Sequence, residues 1–153
     1  HLDALRLPHG IRRDAALLIR RLWFDADGAS GEDAVRVRMA AWGFAFARRV
    51  ISLRAALRFD TKTLKPADEK WSDILLRMQQ EGAVDDVRGL ALDGRDIMAA
   101  LDLPPGPRVG RILRALFERC AIAPALNRRD ALVSLARRLH LEDEETAPTM
   151  FAK

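Results

Sequence analysis

Residues 107–121 read PRVGRILRALFERCA, and this stretch decides the fold class. Apolar side chains recur in it at the spacing i, i+3, i+4, i+7, i+8 and i+11. These residues are Val109, Ile112, Leu113, Leu116, Phe117 and Cys120. Because an α-helix turns once in about 3.6 residues, they share one face of a helix. The stretch therefore predicts an amphipathic helix over Pro107–Ala121 with one buried face.

The rest of the chain follows the same helical period, and no segment alternates as a strand would. Further helices are predicted over Ile11–Trp23, Glu32–Ala41, Phe44–Arg58, Pro66–Gln80 and Gly94–Leu101. A last helix is predicted to run to Leu139, opened by Asn127 as N-cap with Asp130 three residues on. The predicted fold is all-α, with about seven helices in a helical body and tail and no sheet.

Composition restricts the class of protein. At 153 residues the chain is long enough for one domain, or for two small ones that share a core. Hydrophobic residues make up 49% of it, which excludes a disordered chain. No apolar run approaches the roughly 18 residues of a membrane span, and the N-terminus lacks a signal-peptide pattern. The first residue is His1 and not Met, which fits processing, a tag residue or a piece of a longer protein.

Charge is distributed in blocks. Residues 1–58 carry a net charge of +5 and residues 91–140 a net charge of +4. Residues 59–90 carry −2 and residues 141–153 carry −3. Of the 26 basic residues 22 are arginines, which bind phosphate in a bidentate manner. The composition is therefore compatible with a nucleic-acid partner, although an arginine bias also follows from a GC-rich genome.

Catalytic constellations are missing from the sequence. Its three histidines form neither a His–Asp pair nor a zinc-ligand spacing, and no glycine-rich phosphate loop is present. Asp25 and Asp27 stand two apart as magnesium ligands can, but in a glycine-containing loop between predicted helices, which predicts solvated residues. Cys120 is the only cysteine and is expected in the core, which excludes an intrachain disulfide and indicates the cytoplasm. We predict no catalytic residue and no metal ligand.

The start of the 107–121 helix has the properties of an anion site. The amides of Arg108, Val109 and Gly110 are expected to lack partners within the helix, and the positive end of the helix dipole lies beside them. Such a group suits a phosphate. Gly106, like Gly110, lets another backbone come close because it has no side chain.

Arginines continue the pattern. Arg108, Arg111 and Arg114 follow one another at i, i+3 and i+6, away from the apolar stripe. This layout is typical of sequence-independent contacts to a nucleic-acid backbone. The alternative is a helical hairpin in which Gly110 only permits close helix contact and the arginines are solvated.

The stretch Gly94–Leu116 resembles a C-terminal motif of bacterial CCA-adding tRNA nucleotidyltransferases and related poly(A) polymerases. In that family a Gly-basic-Asp-Leu element precedes Leu-Gly-Leu-x-Pro-Gly-Pro-x-x-Gly-x-x-Leu. The first element is matched by Gly94, Arg95 and Asp96, with Ile97 in place of Leu. The second is matched by Leu101, Leu103, Pro105, Gly106, Pro107, Gly110 and Leu113. Asp102 replaces the family's Gly, at a position expected to end the short helix in a left-handed conformation.

The resemblance implies the RNA-binding C-terminal half of such an enzyme, which grips the acceptor and TψC arm of tRNA through phosphate contacts. It implies a helical body domain over residues 1–90, an RNA-binding helical tail domain over 91–140 and an acidic, disordered tail over 141–153. The family's catalytic head would be a further partner, and Mg²⁺ and CTP or ATP belong to that head, whose motifs this sequence lacks. The RNA-binding residues that we predict are Gly106, Arg108, Val109, Gly110, Arg111, Arg114, Arg128 and Arg129.

Other functions remain open at this point. The tail of a poly(A) polymerase would hold general RNA, and only the missing head separates the two enzymes by sequence. A helical protein-interaction module would use its apolar stripes to form a homodimer and would bind no RNA. A remnant His–Asp phosphohydrolase is disfavoured because the metal-binding histidines are missing.

Overall fold

The computed structural model describes Ala16, residues 30–57 and residues 67–146, and the fold is given for these residues. Within them the chain forms α-helices and short 3₁₀ helices and no strand, which confirms the predicted all-α class. The predicted helix Ile11–Trp23, apart from helical Ala16, lies outside the described residues. The loop that contains Asp25 and Asp27 also lies outside them.

Six α-helices follow one another in the described part of the chain. They are α1 (Glu32–Trp42), α2 (Phe44–Leu57), α3 (Ala67–Gln80), α4 (Gly94–Leu101), α5 (Pro107–Ile122) and α6 (Arg129–Thr146). Short 3₁₀ helices lie at Val87–Gly89, before α4, and at Pro124–Leu126, between α5 and α6. Among the predicted bounds of α1 to α5 that fall on described residues, six agree with these and two, Ala41 and Ala121, differ by one residue. The predicted bounds Arg58 and Pro66 lie outside the described residues. The agreement arises because the apolar period and the Gly and Pro breaks fix the ends of a helix.

The chain divides into two compact units between Arg77 and Met78, within α3. We call them the N-terminal unit (His1–Arg77) and the C-terminal unit (Met78–Lys153). The predicted boundary lies later, between residues 90 and 91. The prediction that residues 1–90 and 91–140 fold as separate domains stays a prediction.

A stacked tryptophan and arginine lie in the core of the N-terminal unit. Trp71 of α3 is fully buried, and the guanidinium of Arg54, also fully buried, lies 4.3 Å from the centre of its ring. Trp42 is the last residue of α1, and its ring lies 5.8 Å from the ring of Trp71. Gly43 then turns the chain into α2 with a φ of 80°, a conformation that favours glycine.

The C-terminal unit is built around α5, which contacts α4, α6 and both short 3₁₀ helices. The buried residues of α5 are Val109, Ile112, Leu116, Phe117, Cys120 and Ala121. The predicted apolar stripe is therefore confirmed at five of its six positions, and the sixth, Leu113, is half-buried. Facing elements contribute buried Ile97 from α4 and buried Leu132 and Ala136 from α6.

Two helix ends show how local sequence sets the path of the chain. Asp102 ends α4 with φ 51° and ψ 46°, so the predicted left-handed conformation is confirmed. Asp adopts this conformation more readily than most residues with a side chain, but less readily than Gly. At the far end of the unit α6 continues to Thr146, beyond the predicted Leu139, so residues 141–146 of the predicted disordered tail are helical. Leucine and glutamate there favour a helix; residues 147–153 lie outside the described part.

The predicted N-cap of α6 is wrong. Asn127 precedes the first residue of α6, Arg129, by two positions, and its side chain bonds elsewhere. Its Oδ1 accepts from the amide of Ala91 at 2.8 Å, and its Nδ2 donates to the carbonyl of Gly89 at 3.0 Å. The residue fastens the turn before α6 to the segment before α4 instead of capping a helix.

Candidate nucleic-acid interface

The first turn of α4 packs directly on α5. A Cβ added at Gly94 would lie 3.5 Å from Cγ1 of Val109 and 3.7 Å from Cδ1 of Leu113, which is ordinary van der Waals contact. Asp93 caps α4, accepting at Oδ1 from the amides of Arg95 (2.8 Å) and Asp96 (3.0 Å). The contact fixes how the first half of α5 lies in the C-terminal unit.

The amides at the start of α5 are less available than the sequence predicts. Gly106 precedes the helix in an extended conformation (φ 170°, ψ −179°), and Pro107 has no amide hydrogen. The amide of Val109 donates to the carbonyl of Gly106 at 3.2 Å, so the expectation that it lacks an internal partner is wrong. The Val109 side chain is only 7% exposed and belongs to the core. Its place among the RNA-binding residues stays a prediction.

The three arginines of α5 that we predict to bind RNA differ in their exposure. Arg108 is half-buried, and its Nη2 donates to the carbonyl of His140 at 3.2 Å, which connects the start of α5 to α6. Arg111 and Arg114 are exposed, as predicted. Arg114 lies 3.4 Å from Glu118, one turn further on, in an exposed pair of a kind that contributes little to stability. A phosphate can displace such a pair at small cost.

Gly106 and Gly110 lie on the surface beside these arginines. Apart from the adjoining chain and the backbone of α5 itself, no described atom lies within 4 Å of a Cβ added at either position, and both glycines are exposed. The fold would therefore accept a side chain at both. The hairpin explanation of Gly110, close contact with a second helix, finds no such helix in the described part of the chain. Glycine inside a helix costs about 1 kcal/mol relative to alanine.

Arg128 and Arg129, at the start of α6, differ in their contacts. Arg129 pairs with Oδ1 of Asp96 through Nη2, and Oδ2 of Asp96 accepts from the amide of Asp93 at 2.9 Å. Arg128 is exposed, and no side-chain contact holds it within the described residues. Sequence reasoning missed the Asp96 contacts, although Asp93 and Asp96 stand at the three-residue spacing of a capping box.

The part of the C-terminal unit that contains the candidate interface is strongly basic. Residues 106–142 contain eight arginines, no lysine and three acidic residues, a net charge of +5. Because α5 buries its opposite face, Arg111 and Arg114 point outward beside Gly110. The surface can attract a polyanion and let its backbone approach closely.

Other kinds of site are not found in the described residues. No group of three or more His, Cys, Asp or Glu side chains there could hold a metal ion. Burial raises the pKa of the Cys120 thiol to about 11, which suits a core residue and not a nucleophile. Within residues 30–57 and 67–146 no helix has both the length and the apolar character needed to cross a membrane.

Comparisons with known proteins return no relative. No protein-family model, curated protein or solved structure matches this chain.

Asp96 gives a pH-dependent test of the α4–α6 connection. The amide of Asp93 and the guanidinium of Arg129 lower the pKa of its carboxyl. A lowered pKa stabilises the fold above the unfolded pKa, and this contribution is lost as the pH falls through the folded value. We expect D96N to be less stable than the wild type at neutral pH, and its stability to change less between about pH 5 and pH 2.

Urea unfolding at a series of pH values measures this difference. The control is the R129Q variant, which removes one of the two stabilising partners and should give an intermediate pH dependence. Parallel stability curves for D96N and the wild type across the acid range would contradict the assignment.

Proposed function

We propose that the C-terminal unit binds RNA through its sugar–phosphate backbone, as the tRNA-gripping C-terminal portion of a tRNA nucleotidyltransferase that adds CCA to tRNA 3′ ends. The observation that carries the proposal is the pair of open glycines beside outward arginines. Gly106 and Gly110 lack side chains where the described fold has room for them. The close approach of an RNA backbone to α5 would explain why both positions are glycine.

The predicted arginines are assigned two different roles. Arg111, Arg114 and Arg128 are exposed, and we assign them direct contacts with phosphates. Arg108 and Arg129 bond to His140 and Asp96, so they hold helices in place and add positive charge. Binding of this kind does not depend on base sequence and weakens steeply as salt rises; we expect a dissociation constant on the order of micromolar or weaker.

The absence of stacking groups supports a structured RNA over a single strand. Proteins that hold single-stranded RNA stack its bases on exposed aromatic side chains. From residue 78 to residue 142, where side chains are described, the only Phe, Tyr or Trp residue is Phe117, which is buried. A helical stem presents phosphates at fixed spacing and needs no such platform. This favours the arm of a tRNA over the general RNA of a poly(A) polymerase.

The proposed role leaves catalysis to residues outside this chain. Nucleotide transfer, with its Mg²⁺ and its CTP or ATP, is assigned to a catalytic head, the second proposed partner. A tRNA-processing transferase of this kind acts in the cytoplasm, which we propose as the compartment.

Charge reversal on α5 tests the proposed interface. In the double variant R111E/R114E we expect tRNA affinity to fall by more than about tenfold and the slope of log K against log salt to decrease by about 1.4 to 1.8. The physical reason is the loss of two phosphate contacts with their released counterions. Fluorescence anisotropy over a salt series measures both quantities.

The matched control is R49E/R88E. It makes the same change of charge at two exposed arginines that lie outside residues 106–142. Equal losses of affinity in the two double variants would show attraction by net charge alone and would overturn the assignment.

Gly110 offers a test in which stability and binding move in opposite directions. We expect G110A to raise the free energy of unfolding by about 0.5–1 kcal/mol, because alanine is the better helix former. The added methyl group should keep the RNA backbone away and weaken binding about 3- to 10-fold. G31A, at another exposed glycine with open space around it, should leave RNA affinity unchanged. Unchanged RNA affinity in G110A would remove the observation on which the proposal stands.

The kind of RNA is tested by comparing two probes of equal length. A hairpin that mimics the acceptor and TψC stem should bind at least about fivefold more tightly than an unstructured RNA at the same salt. Equal affinities would favour the poly(A) polymerase alternative. Binding of neither probe would favour a protein-interaction module.

A further inference from the structure

An open groove of about 450 Å³ lies on the C-terminal unit, and neither Arg111 nor Arg114 lines it. The last turn of α4, residues 99–102, forms one wall, and Arg137, His140 and Leu141 of α6 form the other. Most of the α4 wall is apolar, contributed by Ala99, Ala100 and Leu101.

Leu141 stands at this groove as an exposed apolar side chain. It is 58% exposed, whereas Leu132 and Ala136, which precede it on α6, are buried. Leaving a leucine in water forgoes most of the free energy that its burial contributes. The groove and the exposed leucine together form a cavity and a protrusion of similar chemistry on one surface.

Two opposite charges line the same groove. Asp102 and Arg137 are both exposed, and no ion pair joins either of them to another residue that the structure describes. Asp102 also holds a left-handed backbone conformation that a glycine would adopt without strain. Local conformation is therefore unfavourable at the residue that brings the negative charge to the groove.

We propose that the groove is the contact surface for a second copy of this chain, related by a two-fold axis. A two-fold interface needs a surface that is complementary to itself. Here Leu141 of each copy enters the groove of the other, and Asp102 of each copy faces Arg137 of the other. The one surface supplies the protrusion, the recess and both charges.

The interface is small, which determines how strongly it binds. Stable dimers bury about 800 Å² on each partner, and a groove formed by one helix turn and three further side chains offers less. The dimer therefore has a dissociation constant on the order of 100 µM. Both charge pairs make the association weaker at high salt.

A charge-reversal mixture tests the arrangement directly. In a D102R homodimer the facing groups at these positions are all positive, and in an R137D homodimer they are all negative. Each variant alone is expected to stay monomeric in sedimentation velocity from about 5 to 500 µM. In an equimolar mixture every positive group faces a negative one, so the two variants associate with each other at least as strongly as the wild type does.

Control variants separate this surface from general effects of charge. D73R and R119D reverse exposed charges outside the groove, and each is expected to associate as the wild type does. L141S is expected to weaken association at least about tenfold, whereas L76S, at a leucine of similar exposure (54% against 58%), leaves it unchanged.

Asp102 provides a second readout. D102G is expected to raise the melting temperature of the monomer, because glycine relieves the left-handed strain, and to weaken association. R111E/R114E is expected to associate as the wild type does, so failure of the RNA proposal and failure of this one are distinguishable.

Two results would overturn the proposal. One is a wild-type chain that stays monomeric up to about 500 µM. That result overturns the proposal even where NMR shows that a different molecule binds in the groove. The other is a mixture of D102R and R137D that associates no more than either variant alone.

Discussion

Burial of one face of α5 is the constraint on which the C-terminal unit depends. Its valine, isoleucine, leucine and phenylalanine side chains each contribute roughly 1.5–3 kcal/mol when removed from water. Both 3₁₀ helices contact α5, and α4 and α6 contact both α5 and each other, so α5 is the element that all of them share. The same constraint positions the candidate site: the helical period that buries Ile112 and Leu116 turns Arg111 and Arg114 outward. The charged face of α5 is therefore the side of the helix that lies opposite its buried face.

Because apolar burial is not directional, polar contacts are needed to fix the positions of the first turns of α4 and α6. Asn127 bonds to the backbone at both Gly89 and Ala91, and Arg129 pairs with Asp96. These contacts join the turn before α6 to the segment that leads into α4. As a consequence, the arginines differ in function: some hold the ends of helices, and others are exposed to solvent. An arginine that holds a helix end can give little of its donor capacity to a phosphate, whereas an exposed neighbour such as Arg128 can.

Most of the described fold follows from the sequence, because period and breaks are local properties. The α5 stripe, the six helices of the described residues and the left-handed Asp102 were all predictable from neighbours within one or two turns. Asn127 and Arg108 were not, since their partners lie 32 to 38 residues away in the chain. An asparagine before a helix can cap that helix or bond to a distant backbone, and only tertiary structure decides between them. Arg111 and Arg114 were predictable as outward residues, because exposure follows from the period.

Gly110 and Asp102 share one physical property: at each position a different residue would suit the local backbone conformation better. Alanine at 110 would make a better helix, and glycine at 102 a better helix end. Sequence and fold agree at most positions of a protein, so an uncompensated disagreement indicates a role outside the fold. The two positions concern different surfaces. Gly110 lies on the outward face of α5, where the missing side chain admits a backbone, while Asp102 brings a carboxylate to the groove beside α6. Two costs on two surfaces therefore argue for two separate partners, RNA and a second copy of the chain.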